Sequence, residues 1–430
     1  MKSISLDELA RVIGAKTDGL PTGEITGVSI DSRKIRKGDC FFAIKGNNFD
    51  GHDFIAEVIE KGAACCVVSD IDCHDNILKV ADTKRALGLL AKYYRKNAGL
   101  RLVAVTGSVG KTTTRQIIAH VLSSRFSIWQ SPSNFNNDIG LPLTILSAPE
   151  DTEIIVAELG SNAFGEIAYL SDIAAPDIAA VTAVEPAHLQ GFGNIETIEK
   201  EKLSIASGLV PGGIFIDRPW RQLKVTDIHS SGSSSVFTID NTEITIPLPG
   251  TGSIRNAITA WCVCKNLGIS LADFASAVKT LGNISMRSQI EQIKSVTIIN
   301  DCYNANPASM KNALEIIETI AGQKNARKVF ICGDMAELGS DSEILHSRLG
   351  EDIAKAKIDL LITVGPLSEV AAKSAKKCCD YNLEIKSFDD TISACKNLHK
   401  FIKEYDIVLV KGSRSAKLEL AAEKVRELFR

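Results

Sequence analysis

The stretch from Arg101 to Phe126, RLVAVTGSVGKTTTRQIIAHVLSSRF, constrains the fold more than any other part of the chain. An apolar run of strand type, RLVAVT, leads into a glycine turn, GSVG, and then into a segment of helical spacing with Ile117, Ile118, Val121 and Leu122 at core positions. A strand that leaves through a tight glycine loop as a helix builds a βα unit whose helix N-terminus points free N–H groups at an anion. The residues suit phosphate. Gly107 and Gly110 permit close backbone approach, and Lys111 supplies a point charge for β- and γ-phosphates. The hydroxyl of Thr112 suits Mg²⁺, and Ser108, Val109 and Thr113 complete an ATP-binding loop. Val105 stands where the pattern GxxxxGK[ST] has its first glycine, so the cradle is a shorter TGxxGKT turn. The other reading of these residues is a glycine turn beside a solvated lysine.

A chain of 430 residues exceeds what one core organises, and its pattern divides into three α/β domains. Residues 1–82 hold short strands such as CFFAI and ACCVVSD around one helix, HDFIAEVIEKGA. Residues 83–288 begin with the helical, basic segment DTKRALGLLAKYYRKNAG. Buried-type strands (LVAVT, EIIVAEL, DIAAVTAV, GGIFID) then alternate with helices, the signature of a mostly parallel sheet. The more polar TDIHSSGSSSVFTIDNTEITIPLPG is expected to be an antiparallel insertion. Residues 289–430 show five strands with crossover helices, a Rossmann-like pattern. Hinges are expected near 82 and 288.

The formal charge of −3 offers no footprint for a polyanion, so nucleic acid is excluded as a partner class. The start, MKSISLDELARVIGAK, is acidic and lacks an apolar core, and no run of about 18 apolar residues occurs, so a cytoplasmic protein without membrane insertion is expected. The 11 cysteines show neither CxxC nor zinc spacing, and their odd number in a reducing compartment implies buried thiols.

Two further positions lie where carboxyl ends of parallel strands meet ligands, and a third lies on a helix. Glu158 ends the apolar strand IIVAE, and reads either as a Mg²⁺ ligand or as half of a structural salt bridge. His188, in AVEPAHLQGFG, reads as a metal ligand or as a packed histidine. In NIETIEKEKLSIASGL, a turn of about 100° per residue places Ile195, Ile198, Lys202, Ile205 and Leu209 on one face and Lys200 on the opposite one. Lys202 is therefore expected on the buried face. There it is either a lysine with a snorkelling stem or an amine turned into an anion by CO₂, since a buried ammonium beside ATP is costly unpaired.

With these residues, the chain resembles the Mur ligase family, ATP-dependent amide ligases of peptidoglycan precursor synthesis. The resemblance spans essentially the whole chain. It is carried by NFNNDIGLPLTIL (134–146), AELGSN, PAHLQGFG, NDCYNANPASM (300–310), GDMAELG (333–339) and VLVKGSRS (408–415). It implies an N-terminal domain for the UDP-sugar end, a central ATPase, and a C-terminal domain that closes over the nucleotide and brings the acceptor amine. Ser29, Ser32 and Arg33 are then implied as UDP-sugar contacts, the alternative being a plain turn at DSR. The family's Mg²⁺ ligands fall on Thr112, Glu158 and His188, and its carbamylated lysine falls on Lys202. Asn256, Arg287 and Asp301 are implied on the nucleotide, while Asn134, Asn136, Asn137, Tyr303, Asn304, Asn306, Lys411, Ser413 and Arg414 are implied on the substrates.

The strings fit those family members that join D-alanyl-D-alanine to UDP-N-acetylmuramoyl-tripeptide through an acyl phosphate, giving the pentapeptide, ADP and phosphate. Such a chain is expected to work as a monomer. Rival readings are a member that adds the third residue, a folylpolyglutamate synthetase-like ligase, a phosphate-loop NTPase switch, or a catalytically silent scaffold. Three departures from the family stand out: GTGSIRNA has Gly252 and Ser253 for His and Asn, Met286 replaces the glycine before Arg287, and Ser204 replaces a glutamate.

Overall fold

The structure is a computed structural model. It describes residues 1–15, 22–46, 48–70, 76–132 and 134–430, with only the backbone of 231; Asn47, in the stretch expected to meet the UDP-sugar, and Cys73 lie outside the described residues. Three parallel-rich α/β sheets follow one another along the chain, as the alternating pattern predicts.

The first sheet is parallel, in the order Gly27–Ser29, Asp39–Phe42, Cys65–Val68, Ile77–Lys79. Ahead of it, Ile4–Ser5 pairs antiparallel with Glu24–Ile25. The helix Thr83–Asn97 is capped by Asp82, whose carboxylate accepts from the amides of Lys84 and Arg85. Its apolar face (Leu87, Leu90, Ala91, Tyr94) joins Leu9 and Phe42 of the first sheet's core to Leu102 and Ile155 of the next. Arg95 locks it further, donating to Ala175 O at 3.1 Å and to Asp177 Oδ2 at 2.5 Å. The core is thus continuous across residue 82. A core shared in this way does not let the first two units swing freely, which corrects the expectation of a hinge there.

The second sheet is wholly parallel, in the order Ile214–Asp217, Ile178–Val181, Arg101–Thr106, Ile154–Glu158, Ile128–Gln130. The phosphate-loop strand is therefore its middle member, and the Glu158 strand lies beside it. Thr226–Ser231, Ser234–Ile239 and Thr242–Ile246 form the expected antiparallel insertion.

The third sheet has six strands, in the order Gln289–Ile293, Val296–Asn300, Ile407–Lys411, Lys328–Gly333, Leu360–Val364, Glu384–Phe388. The first pair is antiparallel and the rest parallel. Five strands were expected. The additional edge strand, QIEQI, is half-buried and polar, so it lacks the apolar run that marks a central strand. This unit keeps its own cores on the two faces of its sheet, separate from those of the first two units.

Candidate active site

One cleft of roughly 1100 Å³ lies at the carboxyl ends of the central sheet, walled on its far side by the third unit. It exceeds the several hundred Å³ of a typical single-ligand pocket, so more than one substrate fits.

The phosphate loop forms its floor. The strand Arg101–Thr106 runs one residue past Val105, which is fully buried, and the helix Lys111–Leu122 starts at once after Gly110. The glycines are demanded by their positive φ angles, and their neighbours stand close. A Cβ on Gly110, at φ +85°, would stand 2.1 Å from Asn256 Oδ1, and one on Gly107, at φ +144°, would stand 2.1 Å from Thr182 Oγ1. Lys111 donates from Nζ to its own loop at Gly107 O, 2.8 Å away. Burial pushes its pKa down, the nearby Glu158 opposes this, and Arg287 adds to it.

Thr112 and Glu158 are brought together. Thr112 Oγ1 donates to Glu158 Oε2 at 2.7 Å, and Asn136 Nδ2 donates to Glu158 Oε1 at 3.0 Å. Arg287 Nη2 donates to Thr112 Oγ1 at 2.9 Å, so a cation from the 284–288 linker reaches the phosphate loop. Beneath them, the buried Arg115 holds its Nε 3.8 Å from Glu158 Oε2. A buried carboxylate and a hydroxyl at the cleft are hard oxygen donors, which fits a Mg²⁺ that keeps water and phosphate oxygens as its other ligands. No three His, Cys, Asp or Glu side chains cluster as a metal cage among the described residues.

His188, the third expected ligand, lines the same cleft, but its Nδ1 abuts the Glu337 carboxylate of the third unit in a close contact without hydrogen-bond geometry. Burial, with Lys111 next, lowers its pKa, and Glu337 works against them.

Lys202 sits in the helix Ile195–Leu203, buried to 2% exposure, while Lys200 is exposed as the helical phase requires. Its Nζ donates to Ser161 Oγ at 2.7 Å and stands 5.5 Å from the Phe192 ring centre. Burial first, and Lys111 second, bring its pKa down to about 7. The adjacent Glu201, fully buried, accepts from the amides of Gly165 and Ile167 at 2.7 and 2.8 Å, fixing the loop that carries Ser161.

On the far wall Asp301 and Lys411, expected on the nucleotide and on substrate, pair with each other at 2.6 Å. Asp301 Oδ1 also accepts from the amide of Ser288, and Lys411 donates to Asn304 O at 3.1 Å. Both line the cleft, yet their charges are spent on bracing the loop 301–306 against the linker. Tyr303 lies under Arg287, whose guanidinium carbon is 4.1 Å from the ring centre. Asn306 caps the helix Pro307–Lys324, and Asn137 Oδ1 accepts from Gly140 N at 2.8 Å. These two, with Asn134, Asn136 and Asn304, also face the cleft.

Other expected residues are placed elsewhere. Ser413 accepts from the amide of Ala336 at 2.7 Å, and Arg414 pairs with Glu419 at 3.3 Å; neither lines the cleft. Ser29, Ser32 and Arg33 form a self-contained turn away from it, with Arg33 Nε 2.8 Å from Asp31 and Ser29 Oγ donating to Asp31 O at 3.1 Å. Sequence reasoning missed Arg115, Glu201 and Glu337. It also missed Asn312 and Glu315, which accept from Gly252 N and Thr251 Oγ1 at 2.9 Å each across the two units. Arg115 carried a signal, its position one helical turn after Lys111, and Glu337 lies within the string GDMAELG.

Family descriptions match along the chain: "Mur ligase family, catalytic domain" over residues 24–95, "Mur ligase middle domain" over 105–223, and "Mur ligase, glutamate ligase domain" over 286–414. The UDP-N-acetylmuramoyl-tripeptide–D-alanyl-D-alanine ligase of Bacillus subtilis is 35% identical, covering 94% of this chain and 93% of that protein. The chain belongs to the Mur ligase family. The Escherichia coli ligase of the same name is 32% identical over 99% of both chains. Among solved structures, MurF from Acinetobacter baumannii superposes on this Mur ligase with a TM-score of 0.90, at 30% identity and 99% coverage of both chains. MurF from Thermotoga maritima, solved in complex with ADP, gives 0.81 at 29% identity, covering 94% of this chain and 97% of that one.

Proposed function

We propose that this Mur ligase joins D-alanyl-D-alanine to UDP-N-acetylmuramoyl-tripeptide with consumption of ATP. The observation that carries the reading is that one cleft sets the phosphate loop and Glu158 on one wall against the loop 301–306 on the other. An amide bond between a carboxylate and an amine needs both on either side of a transferred phosphate. The relatives that match over nearly the whole chain bear that activity in their names.

In this reading the tripeptide carboxylate attacks the γ-phosphorus, ADP leaves, and the dipeptide amine attacks the resulting acyl phosphate and expels phosphate. Lys111 and the loop amides hold the β- and γ-phosphates, and Arg287 adds positive charge where it develops on the transferred group. Asn256 borders the phosphate loop on the adenine side. A Mg²⁺ would be held by Thr112, Glu158 and His188, and would neutralise phosphate charge. Lys202 supports the reading by its burial: with a pKa near 7, a neutral amine is available to take up CO₂ as a carbamate, which would replace a costly buried cation by an anion. The loops at Asn134, Asn136, Asn137, Tyr303, Asn304 and Asn306 offer amide and phenol groups to the peptide substrates. The UDP-sugar end is assigned to the first unit, residues 1–82, beside Ser29, Ser32 and Arg33.

With units at 1–82, 83–288 and 289–430, the hinge is assigned to residue 288 alone. There the cores on either side are separate and the contacts across the cleft are polar. Closure of the third unit shields the acyl phosphate from water. We assign a monomeric, cytoplasmic enzyme; among the described residues no helix is long and apolar enough to cross a membrane.

The test is incubation of the purified protein with ATP, Mg²⁺, UDP-N-acetylmuramoyl-tripeptide and D-alanyl-D-alanine, followed by mass spectrometry. The reading predicts a product heavier by one dipeptide less water. Phosphate release without that product overturns it.

A further inference from the structure

Glu337 lies in the loop 334–338 of the third unit and has its carboxylate against Nδ1 of His188 in the central unit. Two features set this contact apart from an incidental surface pair. First, both residues hold left-handed backbone, His188 at φ +53° and Glu337 at φ +62°, a conformation that costs a non-glycine residue on the order of 1 kcal/mol or more. Strain of this kind persists only where the surroundings impose it.

Second, the Glu337 loop is braced on every side. Met335 N donates to the buried Nε2 of His346 at 2.9 Å, Ala336 N donates to Ser413 Oγ at 2.7 Å, and Met335 and Leu338 are buried. Asp334 Oδ1 accepts from Ser368 N at 2.6 Å, tying the loop to the helix Pro366–Cys378. Across the cleft, Gln190 N donates to Glu337 O at 3.1 Å. Gly339 passes so close that a Cβ would stand 3.3 Å from Gln190 Cα. The loop is a rigid finger laid on the loop that carries His188.

We propose that Glu337 is a positioning residue: by occupying Nδ1 of His188 it fixes the imidazole with Nε2 as the nitrogen left for a divalent cation, and it does so only when the third unit is seated on the central one. A carboxylate behind a histidine ligand selects its tautomer and ring orientation, and loss of such a partner typically weakens metal affinity by about 10- to 100-fold. Here that partner comes from another unit of the fold, so metal binding and closure are thermodynamically linked: each favours the other by the same factor. The contact also explains Ser413. It faces away from the cleft because it holds the finger.

The inference rests on the reading of His188 as a metal ligand, and the experiment separates the two. The full-length wild type and the Glu337→Ala, Glu337→Gln and His188→Ala variants, with the double variant, are titrated with Mn²⁺ in the presence of ADP, and free Mn²⁺ is read by electron paramagnetic resonance. Glu337→Ala is expected to weaken Mn²⁺ binding about tenfold, and Glu337→Gln, which keeps the shape of the side chain without its charge, by less. His188→Ala is expected to weaken it at least as much, and adding Glu337→Ala to His188→Ala should cost nothing more. Small-angle scattering should show Mn²⁺ with ADP compacting the wild type but not Glu337→Ala. Since Glu337 is half-exposed, its variants are expected to melt within a few degrees of wild type. Unchanged Mn²⁺ affinity in Glu337→Ala, with a loss in His188→Ala, overturns the positioning role alone. Unchanged affinity in His188→Ala overturns the metal-ligand reading beneath it.

Discussion

Lys202 Nζ lies 2.7 Å from Ser161 Oγ inside a buried pocket, with Lys111 as the next influence on its charge. A lysine with a pKa near 7 in the folded chain and about 10.4 when unfolded destabilises the fold at neutral pH. Above the unfolded value both states are neutral and the penalty is absent. As pH falls the unfolded chain takes up the proton first, so the penalty grows until it is full below about 7. In bicarbonate-free buffer, Lys202→Met is therefore expected to be more stable than wild type at pH 7, by on the order of 3 kcal/mol, and inactive. The gap should narrow as pH rises toward 10. Calorimetry across pH checks this, and an equal or lower melting temperature at pH 7 contradicts it.

If the neutral amine takes up CO₂, activity should depend on bicarbonate and decline as pH drops through about 7, where the amine becomes an ammonium. Degassed enzyme is expected to lose most of its activity and to regain it with bicarbonate. Labelled bicarbonate should give a carbon-13 carbamate resonance that Lys202→Ala lacks, and a small carboxylic acid should partly restore that variant. Full activity of Lys202→Ala without rescue refutes the carbamate.

Arg287 connects the linker to the phosphate loop through Thr112 Oγ1 and is steadied by the Tyr303 ring. Arg287→Ala should lower kcat by about 100-fold, with a smaller rise in the KM for ATP, because its charge matters most as the phosphoryl group moves. Tyr303→Phe keeps the ring face and should retain kcat within about threefold, whereas Tyr303→Leu should not. Steady-state kinetics on the three variants decides; a pure KM effect in Arg287→Ala would place that residue in ground-state binding.

Gly110→Ala would drive a Cβ to 2.1 Å from Asn256 Oδ1 at a φ of +85°. A loss of about 1 kcal/mol in stability, set mainly by the positive φ, together with weakened ADP binding in a calorimetric titration, is expected. Gly110→Ala with Asn256→Ala should recover part of the stability and not the nucleotide.

The apolar strands and the phosphate loop were legible in the sequence because buried parallel strands show as continuous apolar runs. The phase of Lys202 against Lys200 followed from helical geometry in the same way. The edge strand Gln289–Ile293 was not legible, since a half-buried, polar edge carries no such run. Asp301 and Lys411 were expected on ligands and were found to pair with each other, a long-range partnership over 110 positions that no local pattern encodes. Glu337 and Glu201 were hidden for the same reason: what makes each matter is a loop or amide supplied by a distant segment. The shared core beneath Thr83–Asn97 likewise emerges only when two sheets are seen to bury one helix.

The proposed route passes phosphate through the substrate carboxylate. It is tested most directly by supplying UDP-N-acetylmuramoyl-tripeptide labelled with ¹⁸O in the terminal carboxylate and measuring the phosphate released during ligation. One labelled oxygen in each phosphate is the predicted result. Unlabelled phosphate, accompanied by a fully formed pentapeptide, would contradict it.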